Sequence, residues 1–167
     1  MIIIVATDEE FTFAKEHFSD KYKVIQTGVA GPNVIESLAD LDKNEPILNL
    51  GFAGSNNIDI NTVVKINDVA LYHSNCSFKE KIFKLEQNYP KDIVNTILST
   101  DQARKLIENP VSCFTNNDFV LETAITEPVV FDMELVYILA LGFKHVSALK
   151  IVSDKLCLHE YESTIAQ

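Results

Sequence analysis

Arginine is nearly absent from this chain: Arg104 is the only one, in the polar stretch Asp101-Gln102-Ala103-Arg104-Lys105. Sites that grip phosphate rely on Arg forks, a Lys, or a glycine-rich loop at a helix N-terminus, and no complete signature of that kind is present. Basic residues as a whole are outnumbered, 14 Lys and Arg against 24 Asp and Glu, for a net charge of -10. Such a balance repels a phosphate backbone or an anionic membrane surface, so no nucleic-acid partner is expected. No apolar run approaches the ~20 residues needed to cross a bilayer, and no membrane partner is expected either. Cys76, Cys113 and Cys157 are widely spaced, with no C-x-x-C pair, and read as reduced thiols of a cytoplasmic protein. His17, His73, His145 and His159 show no ligand spacing, so no metal is implied. The opening Met1-Ile2-Ile3-Ile4-Val5-Ala6 lacks a basic region and runs straight into acids, as a strand does and a signal peptide does not.

What is present is enough for one domain with a real core: 167 residues, 47% of them hydrophobic. The pattern predicts strand 2–6, helix 8–18 with Phe11, Ala14 and Phe18 on one face, strand 22–27, helix 31–40 and strand 46–50. Two glycine-bearing turns stand out: Gly28-Val29-Ala30-Gly31-Pro32-Asn33, with Pro near a helix start, and Gly51-Phe52-Ala53-Gly54-Ser55 after a strand. A β-rich centre follows, with strands 62–66 and 68–72 around a break at Asn67. Segment 78–98 is ambiguous, its apolar runs 82–85 and 93–98 fitting strands, while 100–107 suggests a short helix and 111–114 a strand. An early βαβ, a β-rich middle and a late β-α-β predict an α/β domain with a mixed sheet.

Near the end, Asp132-Met133-Glu134 is read as opening a helix that Gly142 stops, and Ser153-Asp154 as closing the strand that follows. As a first-turn residue, Glu134 is expected to stay ionised. Ligands bind beyond the carboxyl ends of strands in open α/β sheets, and two acids at one sheet edge are what cleavage of a glycosidic bond needs. The plainer alternative is that these acids complement a helix dipole and cap a helix.

Six blocks, taken in order, resemble one family. Ile2-Ile3-Ile4-Val5-Ala6-Thr7-Asp8-Glu9-Glu10 is similar to a first strand ending in acids, and Gln26-Thr27-Gly28-Val29-Ala30-Gly31-Pro32-Asn33 to a glycine turn with its helix. Asn49-Leu50-Gly51-Phe52-Ala53-Gly54 looks like a G-T-A-G loop, and Thr115-Asn116-Asn117-Asp118-Phe119-Val120 resembles an S-G-D-x-F-I stretch. Asp132-Met133-Glu134 and Ile151-Val152-Ser153-Asp154 match M-E and I-S-D motifs. Together they resemble the nucleoside phosphorylase superfamily, and within it the methylthioadenosine/S-adenosylhomocysteine nucleosidases. The resemblance implies a three-layer, sandwich-like α/β domain over 1–167, with a central mixed, twisted sheet flanked by helices and a shortened closing helix.

It also implies roles. Asp154 would protonate N7 of a purine as the ribosyl carbon gains oxocarbenium character, which requires a shielded pocket that raises its pKa. Ser153 would hold that carboxyl, and Glu10, or Glu9 if the register slips by one, would activate water. Glu134 would accept hydrogen bonds from ribose hydroxyls, Met133 would pack on the sugar, Phe119 would stack on the base, and the Val120 backbone would read its edge. Ala53 and Gly54 would line the site. The partner implied is a small purine nucleoside in nucleoside metabolism and methionine salvage. A homodimer is implied and no cofactor, since water and carboxylates suffice.

The chain departs from the pattern at Asn117, where the family carries an Asp unless Asp118 is that residue displaced, at Phe52 in place of Thr, and at Lys150 in place of Arg. The reading is an adenine-type nucleosidase. A non-catalytic nucleoside-binding or dimerising member of the fold and a phosphate-dependent phosphorylase are its alternatives. Acids at the end of the first strand and the lack of Arg favour hydrolysis over phosphorolysis.

Overall fold

The computed structural model describes residues 1–72 and 81–165, and the side chains of Leu158 and His159 are outside that description. His73, Cys76 and the start of segment 78–98 fall outside the described residues as well.

The chain opens with β1 (Ile2–Val5), wholly buried, and Thr7 then caps α1 (Asp8–Phe18). Thr7 Oγ1 accepts the Glu10 amide while Glu10 accepts the Thr7 amide, a reciprocal capping box that starts the helix where the acids begin. β2 (Lys23–Gln26) leads to α2 (Gly31–Leu38), where Pro32 stands at the helix start. β3 (Ile47–Ser55) runs on through the glycine-bearing segment rather than ending at Leu50. β4 (Thr62–Leu71) crosses Asn67 as one strand, the expected break being two register shifts against its neighbour.

Next come β5 (Phe83–Lys84), α3 (Lys91–Leu98), β6 (Lys105–Thr115), β7 (Val129–Asp132), α4 (Leu135–Ala140), β8 (Val146–Asp154) and α5 (Leu158–Ile165). Two expectations are corrected here. Residues 93–98 are helical, because Ile93 and Ile97 lie one turn apart on a single buried face and Pro90 sets the helix start. The short helix expected at 100–107 is a turn followed by β6, whose paired register with β4 runs from Lys105 to Thr115.

The strands form an eight-stranded mixed sheet among the described residues, in the order β2-β1-β3-β7-β6-β4-β5, with β8 bridging β3 and β4. Strands β3, β7, β6, β4 and β8 therefore close on themselves. Alternation along the strands divides the core. Ile2, Ile4, Ile47 and Ala148 join Val34 and Leu38 of α2 and Leu135 and Ile138 of α4. Ile3, Val5, Leu48 and Leu149 join Ala14 and Phe18 of α1 and Ile93 and Ile97 of α3 on the other side. This gives helix, sheet and helix as three layers, in agreement with the expected α/β architecture.

Register decides what meets at the sheet edge. β1, β3 and β8 are parallel, and Gly54 pairs with Asp154 after a bulge. β7 runs antiparallel to β3 with Gly54 opposite Phe131, so the chain leaving β7 passes beside Ala53. Asp132 ends β7 rather than opening a helix, and Ser153 and Asp154 close β8.

Candidate active site

The carboxyl ends of β1, β3 and β8, with the end of β7 and the start of α5, surround a cleft of about 250 Å³. Its walls include Glu10, Ala53, Gly54, Phe119, Met133, Glu134, Ser153 and Asp154. Val120 is buried and lines a smaller hollow that continues the cleft past Phe119, Met133 and Asp154. All nine residues expected from the sequence are thus brought to one place.

Asp154 is fully shielded from solvent. Its Oδ2 accepts the Ser153 hydroxyl at 2.8 Å and its Oδ1 accepts the Leu156 amide at 2.8 Å. Burial pushes the carboxyl above its ordinary value, against the opposing effect of those hydrogen bonds. The Leu156 amide is aimed by a left-handed backbone, φ 66°, which a Leu rarely adopts. Ser153 also lies 3.4 Å from the Ala53 carbonyl, so its hydroxyl has a second acceptor when the Asp154 carboxyl carries a proton.

Glu10 faces the same cleft, and Glu9 does not. The Glu10 carboxylate accepts the amides of Ala6 at 2.8 Å and Thr7 at 3.0 Å on Oε1, and of Phe52 at 2.9 Å on Oε2. A carboxylate offers about four acceptor positions, and these three amides leave one of them over. The residue that closes the capping box also faces the cleft.

Below the cleft floor lies a buried ion pair, Lys150 Nζ to Asp132 Oδ2 at 3.2 Å. Burial alone would lower the ammonium's pKa, but Asp132 and then Glu134 outweigh it and hold Lys150 above its ordinary value. Asp132 further accepts Thr115 Oγ1 at 2.5 Å and the Leu135 amide at 2.9 Å, and so caps α4. The Cys113 thiol, 3.5 Å from Asp132, is pushed up by burial and then by that carboxylate.

Glu134 corrects an expectation. It precedes α4 instead of sitting in its first turn, and burial followed by the Asp132 charge pushes it up to about 8. Burial and a like charge prevail over the end of a helix only six residues long. Since the folded value lies above the ordinary 4.5, Glu134 favours the fold below about pH 4.5 and loses that contribution as pH rises through about 8. Glu134→Gln is therefore expected to melt higher than the parent at pH 8 and to flatten the fall in Tm between pH 5 and about 8, as read by thermal melts. Equal pH slopes in the two proteins would contradict this.

Two glycines give the acids their room. A Cβ on Gly54 would stand 2.7 Å from Asp154 Oδ1, and one on Gly51 would stand 2.9 Å from Glu10 Oε2. Gly54 lies in an extended strand that Ala tolerates, so Gly54→Ala is expected to keep the fold and displace the acid. A displacement of about 1 Å lowers turnover by about 10²-fold. Steady-state kinetics with a circular-dichroism control checks this, and unchanged turnover would sink it.

Tyr161 was not anticipated. It lines the cleft from α5 and packs edge-on against Phe119, ring centres 5.8 Å apart. Burial, and then Glu10 and Glu9, push its phenol up to about 12, which keeps it a donor. The sequence signal was slight: one aromatic, seven residues after Asp154, in a short acidic helix. Asn117, one of the departures, accepts the Gly31 amide at 3.3 Å and ties this loop to α2, whereas Asp118 lines the smaller hollow.

Among the described residues, no Lys or Arg lines the cleft, and no group of three or more His, Cys, Asp or Glu is arranged to hold a metal ion. No described helix is long and apolar enough to cross a membrane.

Solved structures share this arrangement of strands and helices. The Streptococcus pneumoniae MTA/SAH nucleosidase in complex with 8-aminoadenine superposes with a TM-score of 0.65 at 18% identity, over 99% of this chain and 91% of that one. The chain has the MTA/SAH nucleosidase fold. The Colwellia psychrerythraea nucleosidase in complex with adenine gives a TM-score of 0.71 at 15% identity, over 98% and 86% of the two chains. The same fold extends to Helicobacter pylori futalosine hydrolase, with a TM-score of 0.69 at 13% identity, over 98% and 89%. A scan against family models and a search of curated proteins find no match, so the nucleosidase likeness is carried by structure.

Proposed function

We propose that the protein is a purine nucleosidase that hydrolyses the N-glycosidic bond of an adenine nucleoside such as 5'-methylthioadenosine or S-adenosylhomocysteine. The observation that carries this is the shielded Asp154, its carboxyl pushed above its ordinary value by burial, facing one cleft with Glu10. Asp154 donates its proton to N7 of the base, so that the C1'–N9 electron pair leaves on a neutral purine. Glu134 and Met133 hold the sugar, and the carboxylate form of Glu134 draws on ribose hydroxyls as they become better donors with growing positive charge on the ring. Glu10 takes a proton from the attacking water, whose oxygen bonds to C1'. Phe119 stacks on the base, the Val120 backbone reads its edge, and Ala53 and Gly54 form the strand wall against it.

Water rather than phosphate is the acceptor because the cleft is walled by acids and its nearby cation, Lys150, is spent on Asp132. In ¹⁸O-labelled water the released sugar is expected to carry one ¹⁸O, at a rate independent of added phosphate. Release that needs phosphate would instead make the protein a phosphorylase. The homodimer belongs to this reading too: Leu121, 66% exposed, follows Val120 and is available to a second copy. Sedimentation checks that.

A further inference from the structure

Four carboxyl groups meet at the cleft and its floor, and hydrogen bonding separates them. Asp132 accepts the Thr115 hydroxyl, the Cys113 thiol, the Glu134 and Leu135 amides and the Lys150 ammonium. Glu10 accepts three amides, and Asp154 accepts the Ser153 hydroxyl on one oxygen and the Leu156 amide on the other. Glu134 accepts only the Met133 amide, its neighbour in the chain, at 3.3 Å. Of the roughly four acceptor positions that a carboxylate offers, most therefore have no donor among the described residues. Yet the residue is 7% exposed and lines the cleft.

Charge deepens the contrast. Glu134 is faced by Asp132 from β7, Lys150 from β8, Glu10 from α1, Cys113 from β6 and Tyr161 from α5. Lys150 is the cation of that group, and its ammonium is in contact with Asp132. It also sits beside Glu10, since a Cβ on Gly51 would stand 2.9 Å from Glu10 Oε2 and 3.5 Å from Lys150 Nζ. One ammonium thus lies among three acids, two of which have several donors of their own. A buried carboxylate that lacks donors and a counter-ion is the hardest of these charges to keep, so a proton settles on Glu134 before Asp132 or Glu10. Burial and then the Asp132 charge push it up to about 8, in keeping with that order.

Resting on the nucleosidase reading, which places the sugar at Glu134, we propose that this residue is a proton-linked selector of the vicinal diol. It holds a proton in the empty cleft and ionises when the 2' and 3' hydroxyls of a ribose donate to its open positions. The O–H bond of the acid breaks, the proton leaves to buffer, and the two hydroxyls stabilise the carboxylate that the protein leaves without donors. A dideoxy sugar supplies neither donor and leaves the proton in place. Because binding of a diol releases a proton, its affinity rises with pH until the acid of the empty cleft has itself ionised, and levels off above that.

The test compares 7-deazaadenosine, which lacks the N7 that takes a proton and so resists cleavage, with its 2',3'-dideoxy analogue, by calorimetry on the full chain in two buffers of different ionisation enthalpy. Near pH 6.5 the diol is expected to release about one proton and the dideoxy compound none, with no release from either above about pH 9.5. The preference for the diol should grow about tenfold per pH unit up to about pH 8 and then level off. Titration of Asp154 or Glu10 acts on both compounds, so the ratio isolates Glu134. Glu134→Gln has no proton to lose and should make that ratio independent of pH. The ¹³C-labelled carboxyl of Glu134, assigned by its loss in Glu134→Gln, is expected to titrate near pH 8 in the empty protein, a reading that needs no ligand. Equal proton release by the two compounds, or a Glu134 carboxyl already ionised at about pH 6 in the empty protein, overturns the proposal. Diol-linked release with no nucleoside cleaved leaves it standing and overturns the nucleosidase reading, whereas cleavage without diol-linked release does the reverse.

Discussion

Asp154→Asn is expected to slow base release about 10²- to 10⁴-fold, the usual contribution of a positioned general acid, while nucleoside binding changes little. The substitution keeps the size of the side chain, and an amide oxygen can still accept the Leu156 amide that Asp154 Oδ1 accepts now. What is lost is the proton for the leaving base. Asp154 is walled off from water, and desolvation pushes its carboxyl above the ordinary value against the donors that favour the ionised form. Single-turnover kinetics measures the chemical step and calorimetry with adenine measures binding. Full turnover in the Asn variant would remove Asp154 from the chemistry and with it the mechanism proposed above.

The second large effect concerns stability. Lys150→Met is expected to destabilise the fold by about 3–5 kcal/mol, because it strands the Asp132 carboxylate in the interior. Lys150 is 1% exposed and its partner side chain 0%, so water cannot replace the ammonium. For a chain of this size that loss corresponds to a fall in Tm of about 6 to 20 °C. Removing both charges together, in Lys150→Met with Asp132→Asn, should recover much of it, since the penalty belongs to the unpaired charge and not to the missing bond. A Tm for Lys150→Met equal to the parent's would mean that the pair does not operate as described.

The apolar runs of β1 and β8, the acids after β1 and the acid that ends β8 could be read from the sequence, because buried strands and first-turn acids are local patterns. The nine residues expected at the site came from the resemblance carried by six short blocks, and they line one cleft and the hollow that continues it. Where the reading went astray, local chemistry misled it. Ile93, Val94 and Ile97 are β-branched and looked like a strand, yet tertiary burial of one face made them helical. Where a short helix was expected at 100–107, β6 begins at Lys105 and runs through Pro110, which it carries where Glu108, Asn109 and Pro110 are exposed and β7 pairs only from Ser112 onward. Glu134 was expected to be ionised because its neighbour in sequence was a helix, whereas its neighbours in space are Asp132 and Lys150. Tyr161 and the Lys150–Asp132 pair depend on which strands lie side by side, which no local pattern encodes.

The measurement that bears most directly on the central claim is chromatographic detection of free base from methylthioadenosine, S-adenosylhomocysteine, adenosine and inosine, with and without phosphate. The cleft as described predicts adenine release from at least one adenine nucleoside, at the same rate in both conditions. No base from any of the four, with or without phosphate, would contradict the enzyme and leave a nucleoside-binding protein built on the nucleosidase fold.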